Sequence, residues 1–152
     1  MSDPIQFTSV TPRLGMPLLF VGQTQKEVYV NEAHALIDGL MHCAIEGSLQ
    51  SPPASPSNGQ AWLVDTNPSG GWADHEGDLA LYQGGNWHFV PPSEGMTIYD
   101  KAASQFARFA GDWRKASAVA LPQGGTTVDT EARAAISELV AGLIDAGVLP
   151  DT

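Results

Sequence analysis

Between Ala61 and Trp113 a short unit recurs: an alternating apolar strand, a glycine-bearing turn, then a tryptophan. Ala61-Trp62-Leu63-Val64 runs on to Gly70-Gly71-Trp72, Leu79 to Tyr82 to Gly84-Gly85-Asn86-Trp87, and Phe106 to Ala110 to Gly111-Asp112-Trp113. Nine of the twelve aromatic residues, with all four tryptophans, lie in this stretch. Short strands joined by glycine turns at such spacing fold as hairpins. Met96-Thr97-Ile98-Tyr99 supplies a further strand, facing Phe106 to Phe109. Residues 60–120 are therefore expected to form a small antiparallel β meander of five to seven strands. Such a meander needs a cover for its apolar face, so at least one helix must pack across it.

The remaining segments frame that module. Residues 1–22 space Pro4, Pro12 and Pro17 among Leu14, Met16, Leu18, Leu19 and Phe20. Each proline removes a donor and biases its predecessor toward extended backbone, so this is an extended arm. It packs along its own domain or along a neighbour, and the second alternative makes it an assembly arm. Residues 24–47 form a long helix, with capping-box spacing at Thr24 to Glu27 and a stop at Gly47. Tyr29, Ala33, Leu36, Ile37, Leu40 and Ala44 make one apolar stripe, while Asn31, His34, Asp38 and His42 lie opposite. At 1.5 Å per residue it would reach about 36 Å, a length often used for oligomer seams. Ser51 to Gly59 is a proline-rich loop. Residues 128–147 hold a second amphipathic helix, capped by Asp129, with Ala132, Ile136, Leu139, Val140 and Leu143 apolar and Gly147 as its stop. The fold class is α+β.

Charge narrows the partners. The chain carries a formal net charge of −10, which repels polyphosphates and anionic bilayers, so neither nucleic acid nor membrane is expected. Only 16% of its residues are charged, against roughly 25% in a typical soluble domain, which points to surface reserved for a partner. Residues 1–23 hold just Asp3 and Arg13, so the arm is the nearly neutral part. Cys43 is the single cysteine, which excludes an internal disulfide framework. No basic segment followed by an apolar run opens the sequence, so no secretory signal is expected.

Candidate chemistry is sparse. His34, Asp38 and His42 share a helix face at i, i+4 and i+8, but a solvated face explains them as well as a metal does, and no metal is expected. Cys43 and His42 are adjacent on a helix and point about 100° apart, so they make no nucleophile–base pair. Asp74, His75, Glu76 and Asp78 form an acidic loop beside Trp72, the kind of setting in which paired carboxylates cleave glycosides or oxygens bind calcium. Nothing in the sequence fixes their separation. Trp72, Trp87 and Trp113 border turns, where aromatic faces can stack on sugar rings or simply form the core of a small sheet. No catalytic residue and no cofactor is assigned.

Thr11-Pro12-Arg13-Leu14-Gly15-Met16-Pro17-Leu18-Leu19, with Gly22 to Glu27 and Asn31-Glu32-Ala33, resembles an alphaproteobacterial phage and prophage family, formally a domain of unknown function. Its members occur among tail-fibre-region proteins and in gene transfer agents, there associated with head spikes. The Gly-Gly-x-Trp hairpins and the Asp129 to Ile136 segment are similar to that family too. Thr24 and His34 depart from the small or aliphatic residues the family favours there. The resemblance carries no catalytic residues. It implies a structural virion protein, a head-spike or fibre base that homo-oligomerises on the particle surface after assembly in the host cytoplasm. A pentamer suits a capsid vertex and a trimer suits a fibre, with capsid, portal-vertex, spike or fibre proteins as neighbours. Leu14, Met16, Leu18, Leu19, Phe20 and Tyr29 are the expected oligomer and anchor contacts. The alternative is a carbohydrate-binding adhesin module that recognises host capsular polysaccharide through Trp72, Trp87 and Trp113.

Overall fold

The computed structural model describes residues 9–13, 16, 18–19, 26–126 and 128–150, with the backbone alone at Lys26 and Glu27. Among them are two helices and eight strands: α1 (Lys26–Leu40), β1 (Ala44–Ile45), β2 (Ser48–Leu49), β3 (Ala61–Val64), β4 (Leu79–Gln83), β5 (Asn86–Val90), β6 (Thr97–Asp100), β7 (Gln105–Ala110), β8 (Asp112–Arg114) and α2 (Thr130–Asp145). The fold is α+β, as the sequence implies. Its strands form two four-stranded mixed sheets, ordered β1-β6-β7-β8 and β2-β3-β4-β5, rather than one antiparallel meander. The segment from Ala44 to Leu49 makes the difference. Its first half pairs parallel with β6 and its second half parallel with β3, so one short run of chain seeds both sheets. Parallel neighbours so far apart in sequence leave no turn signal between them.

The hairpins themselves follow the sequence closely. β4 and β5 join through Gly84-Gly85, β6 pairs antiparallel with β7, and β7 turns at Gly111 into β8. The first unit departs: Gly70–Trp72 is a single 3-10 turn, not a hairpin end. That turn folds Trp72 back over the outer face of β3 and β4, so β3 is buried on both sides. Cys43, Ile45, Ala61, Leu63, Leu79, Leu81, Ile98 and Ala107 make the main core between the sheets and α1. Trp62, Val64, Trp72 and Ala80 make a second core on the opposite face, flanked by Tyr82, Trp87 and Phe89.

The helix expected over 24–47 ends at Leu40. His42 takes a left-handed φ of 52°, which breaks the helical path and frees Ala44 to enter β1. The arm supplies the terminator. Arg13 Nη1 donates to the carbonyls of Asp38 and Gly39 at 2.7 and 2.8 Å, and Nη2 to those of Met41 and His42 at 3.3 and 2.8 Å. The first two are carbonyls a helix end leaves without intrahelical donors, where a cation is favoured, and the other two belong to the turn that follows. Asp38 in turn accepts from Thr11 Oγ1 at 2.9 Å and from the Arg13 N–H at 3.1 Å. Asn31 grips Leu19 through both its amide atoms, at 2.9 and 3.1 Å. The described part of the arm is thus looped and docked on its own helix, with Leu18 N–H bonded to the Ser9 carbonyl.

This docking rotates α1 relative to its expected orientation. Asp38, expected on a solvated face, is 2% exposed, whereas Tyr29 of the apolar stripe is 76% exposed. Gly39 faces Leu81, where a Cβ would come within 2.8 Å of the Leu81 side chain, so glycine lets the helix lie close to β4.

α2 begins at Asp129, whose side chain accepts from the Ala132 N–H at 2.9 Å. It has no buried residue and covers neither sheet. Instead it packs against the extended stretch holding Val119 and Leu121, and Arg133 donates to the Pro122 and Gly124 carbonyls. Its end is anchored on β7. Buried Gln105 donates to the carbonyls of Ala116 and Val148, and the Phe106 N–H donates to that of Gly147. Gly147 has φ +68° and lies against the Phe106 and Tyr99 rings, where a Cβ would come within 3.2 Å of Phe106.

Replacing Asp38 by Ala leaves the Thr11 hydroxyl and the Arg13 N–H without their acceptor in a buried place. The expected loss is about 1–3 kcal/mol in denaturant unfolding. Arg13→Ala and Asp38→Ala should be non-additive in a double-mutant cycle, since they dismantle one connected network.

Candidate functional site

Of the three tryptophans considered as a possible saccharide platform, Trp72 and Trp87 sit together in the second core and Trp113 at the seam. Trp72 is fully buried, edge-on to Trp87 with ring centroids 5.0 Å apart, and has no face to offer a ligand. Its Nε1 has no hydrogen-bond partner among the described residues. An orphan donor costs roughly 1–3 kcal/mol, whereas burying a ring of that size contributes on the order of 4–6 kcal/mol. Packing wins, and Trp72 is core. Trp87 is half-buried and stands at the centre of the second core, 5.6 Å from Trp62 and 4.9 Å from Tyr82. Beside it His75 stacks on Phe89 at 3.6 Å and meets Asp78 through Nδ1 at 3.0 Å.

Trp113 lies elsewhere, at the seam where the two sheets close on each other. Its Nε1 donates to the Gly77 carbonyl at 2.8 Å and its ring meets Phe109 edge-on. Here it borders a cleft of about 440 Å³, lined also by Asp65, Thr66, Glu76, Asp112 and Lys115. Asp65 and Glu76 are held by backbone donors, from Thr66 at 2.7 Å and Asn67 at 3.0 Å. Lys115 reaches across to buried Asp100, whose other oxygen accepts from the Ala102 and Ala103 N–H groups. An aromatic wall beside hydrogen-bonding carboxylates and a cation can accept a small polar molecule with one apolar face. Of the acidic loop, Glu76 alone lines this cleft; Asp74 is exposed at a left-handed φ of 68°.

The expected oligomer contacts divide in the same way. Met16, Leu18 and Leu19 are half-buried on their own chain, while Leu14 and Phe20 lie outside the described residues. Tyr29 is open, and it does not stand alone. Ala33, Ile37 and Met41 follow it at four-residue spacing, all exposed, with Val28 alongside. This apolar strip follows the exposed side of α1 and runs on to Met41, just past its end.

No metal centre is built on α1. Helix termination puts His42 outside the helix, and Asp38 is engaged by Thr11 and Arg13. Among the described residues no group of three or more His, Cys, Asp and Glu could hold a metal ion. No described helix is long and apolar enough to cross a membrane. Cys43 is buried in the main core, and burial pushes its thiol above the ordinary range, while the Arg13 guanidinium pulls it down less strongly. A thiol held neutral in this way makes a poor nucleophile. The sequence gives no sign of the latch role of Thr11, Arg13 and Asp38, nor of the cleft acids Asp65 and Asp112. Thr11 and Arg13 meet Asp38 across 27 and 25 positions, and the cleft acids come together only at the seam, beyond any local pattern.

Cys43 should resist an aromatic disulfide reagent at mildly alkaline pH, with labelling at least ~100-fold slower than in denaturant and rising only as the protein opens.

Residues 30–114 match the family described as Protein of unknown function (DUF2793). No curated protein matches the chain. The matched span runs from the interior of α1 to the last residue of β8, so it contains both sheets, both cores and the seam cleft apart from Lys115. It leaves out the arm and α2, and with them most of the residues that carry the phage resemblance. Covering more than half of the chain, the match makes this protein a member of the DUF2793 family.

Proposed function

We propose that the chain is a structural virion protein, a head-spike or fibre base that homo-oligomerises on the surface of a phage or gene-transfer-agent particle and catalyses no reaction. The observation that carries the reading is the apolar strip on α1. Tyr29, Ile37 and Met41 are 76%, 44% and 48% exposed, on a helix whose other side is already fixed by the latch and by β4. A long apolar helical strip left open to water favours a protein partner. Because the described arm docks in cis, the strip takes over the anchoring role expected of Leu18 and Leu19. Capsid or portal-vertex proteins, spike or fibre proteins and neighbouring copies in a pentamer or trimer are its proposed partners. Particles produced without this protein should bind it when it is added back and co-sediment with it. The exposed substitutions Tyr29→Asp and Ile37→Asp together should lower that binding at least ~10-fold with the fold intact. Failure of the unaltered protein to bind such particles contradicts the reading.

A second reading, a carbohydrate-binding module for host capsular polysaccharide, is favoured by the seam cleft. Trp113 supplies an aromatic wall there and Asp65, Glu76 and Asp112 supply acceptors. On this reading Asp112→Ala, an exposed change, weakens capsule binding by roughly 10-fold in a glycan-binding assay. Trp72→Phe, a core change, leaves it unaltered. Equal binding by the Asp112 variant removes the cleft from consideration.

A further inference from the structure

We propose that β5 is the pairing edge of a two-fold dimer of this chain. β5 is the terminal strand of its sheet. The Tyr82 N–H bonds to the Gln60 carbonyl at 2.9 Å and its carbonyl accepts from Gly59 at 2.8 Å, so the Tyr82 backbone faces away from β5. Trp87 stands directly opposite Tyr82 and Phe89 opposite Ala80. Opposed residues in an antiparallel ladder alternate between bonded and non-bonded pairs. Trp87 and Phe89 therefore aim their N–H and C=O groups outward, and no described residue meets them.

Open edges in soluble proteins are normally blunted by charge, proline or a bulge. β5 reads Asn-Trp-His-Phe-Val, uncharged, free of proline until Pro91, and in unbroken register with β4 from Asn86 to Val90. It is a template without a guard, and its register is self-complementary. A two-fold axis through His88 sets Trp87 opposite Phe89 of the second copy, and Phe89 opposite the second Trp87. Both pairs are then the bonded kind, joined by the outward N–H and C=O groups, and each matches aromatic to aromatic. His88 meets His88 of the second copy as the close, non-bonded pair. On that same side of the sheet a groove of about 410 Å³ opens between the hairpin and α1, lined by Leu18, Val28, Ala35, Asn86 and His88. A second β5 added at the edge closes the open flank of this groove.

The contact is isologous and pairs two copies in solution, so it is distinct from the α1 strip, which meets the particle and the neighbouring copies assembled on it. The test uses the full chain. Sedimentation equilibrium should show a dimer. His88→Lys and His88→Glu should each weaken it at least ~10-fold, because like charges then meet on the axis. An equimolar mixture of the two variants should restore it. His88→Cys should form a covalent dimer under mild oxidation, since non-bonded opposed residues have Cα atoms about 4.5 Å apart, within disulfide reach. Asn86→Cys, which meets Val90, should not. Circular dichroism checks that each variant is folded. A monomeric unaltered chain at ~100 µM overturns the proposal, and so does a folded Lys/Glu mixture that stays monomeric. Tyr29→Asp with Ile37→Asp should leave the dimer intact, so loss of particle binding and loss of dimerisation are read separately.

Discussion

The contact between Arg13 and the end of α1 decides what the rest of the chain can do. One guanidinium takes four carbonyls and so satisfies a helix terminus that has no basic residue of its own. Termination at Leu40 lets the backbone turn through His42 and enter β1 two residues later. Without that turn Ala44 to Leu49 could not lie between β6 and β3, and the two sheets would lose the short segment that seeds both of them. The same contact draws Asp38 into the interior, where Thr11 and the Arg13 backbone supply its donors. Burying a carboxylate is costly unless it is fully bonded, so arm and helix are mutually dependent.

Two consequences spread from this arrangement. Turning the Asp38–Gly39 side of α1 inward turns Tyr29, Ala33, Ile37 and Met41 outward. β3 is buried on both faces, with Leu63 in one core and Trp62 in the other. The domain's apolar surplus is displaced to the margins: the α1 strip, the β5 edge and the uncovered side of α2. Low charge content is the sequence-level counterpart of those margins.

Much of the local structure is legible in the sequence, for reasons that are themselves local. Gly84-Gly85 and Gly111 mark turns because only their backbones accept left-handed φ cheaply, and the alternating residues around them face opposite sides of a strand. Asp129 and Gly147 bound α2 as their chemistry dictates. What is not legible is non-local. Nothing around residue 42 announces that Arg13 ends the helix there, since a continuing helix and a capped one share the same pattern of Leu36, Ile37 and Leu40. Parallel pairing of two-residue strands leaves no periodicity to read. Trp72 and Trp87 differ in sequence context by little, yet the 3-10 turn buries one and leaves the other half-open, so a saccharide role assigned to both from glycine-turn position fails for Trp72. The seam cleft gathers Asp65, Glu76 and Asp112 from three separate turns, and only the fold brings them together.

On the proposed function, the apolar surface left outside these two cores is contact surface between copies and with a particle. Backbone hydrogen exchange of the full chain, followed from dilute to concentrated solution, tests that most directly. The outward amides of Trp87 and Phe89 should slow as concentration rises, while those of the exposed stretch 117–121 keep their rate. Identical exchange at both concentrations for all of these amides would contradict it.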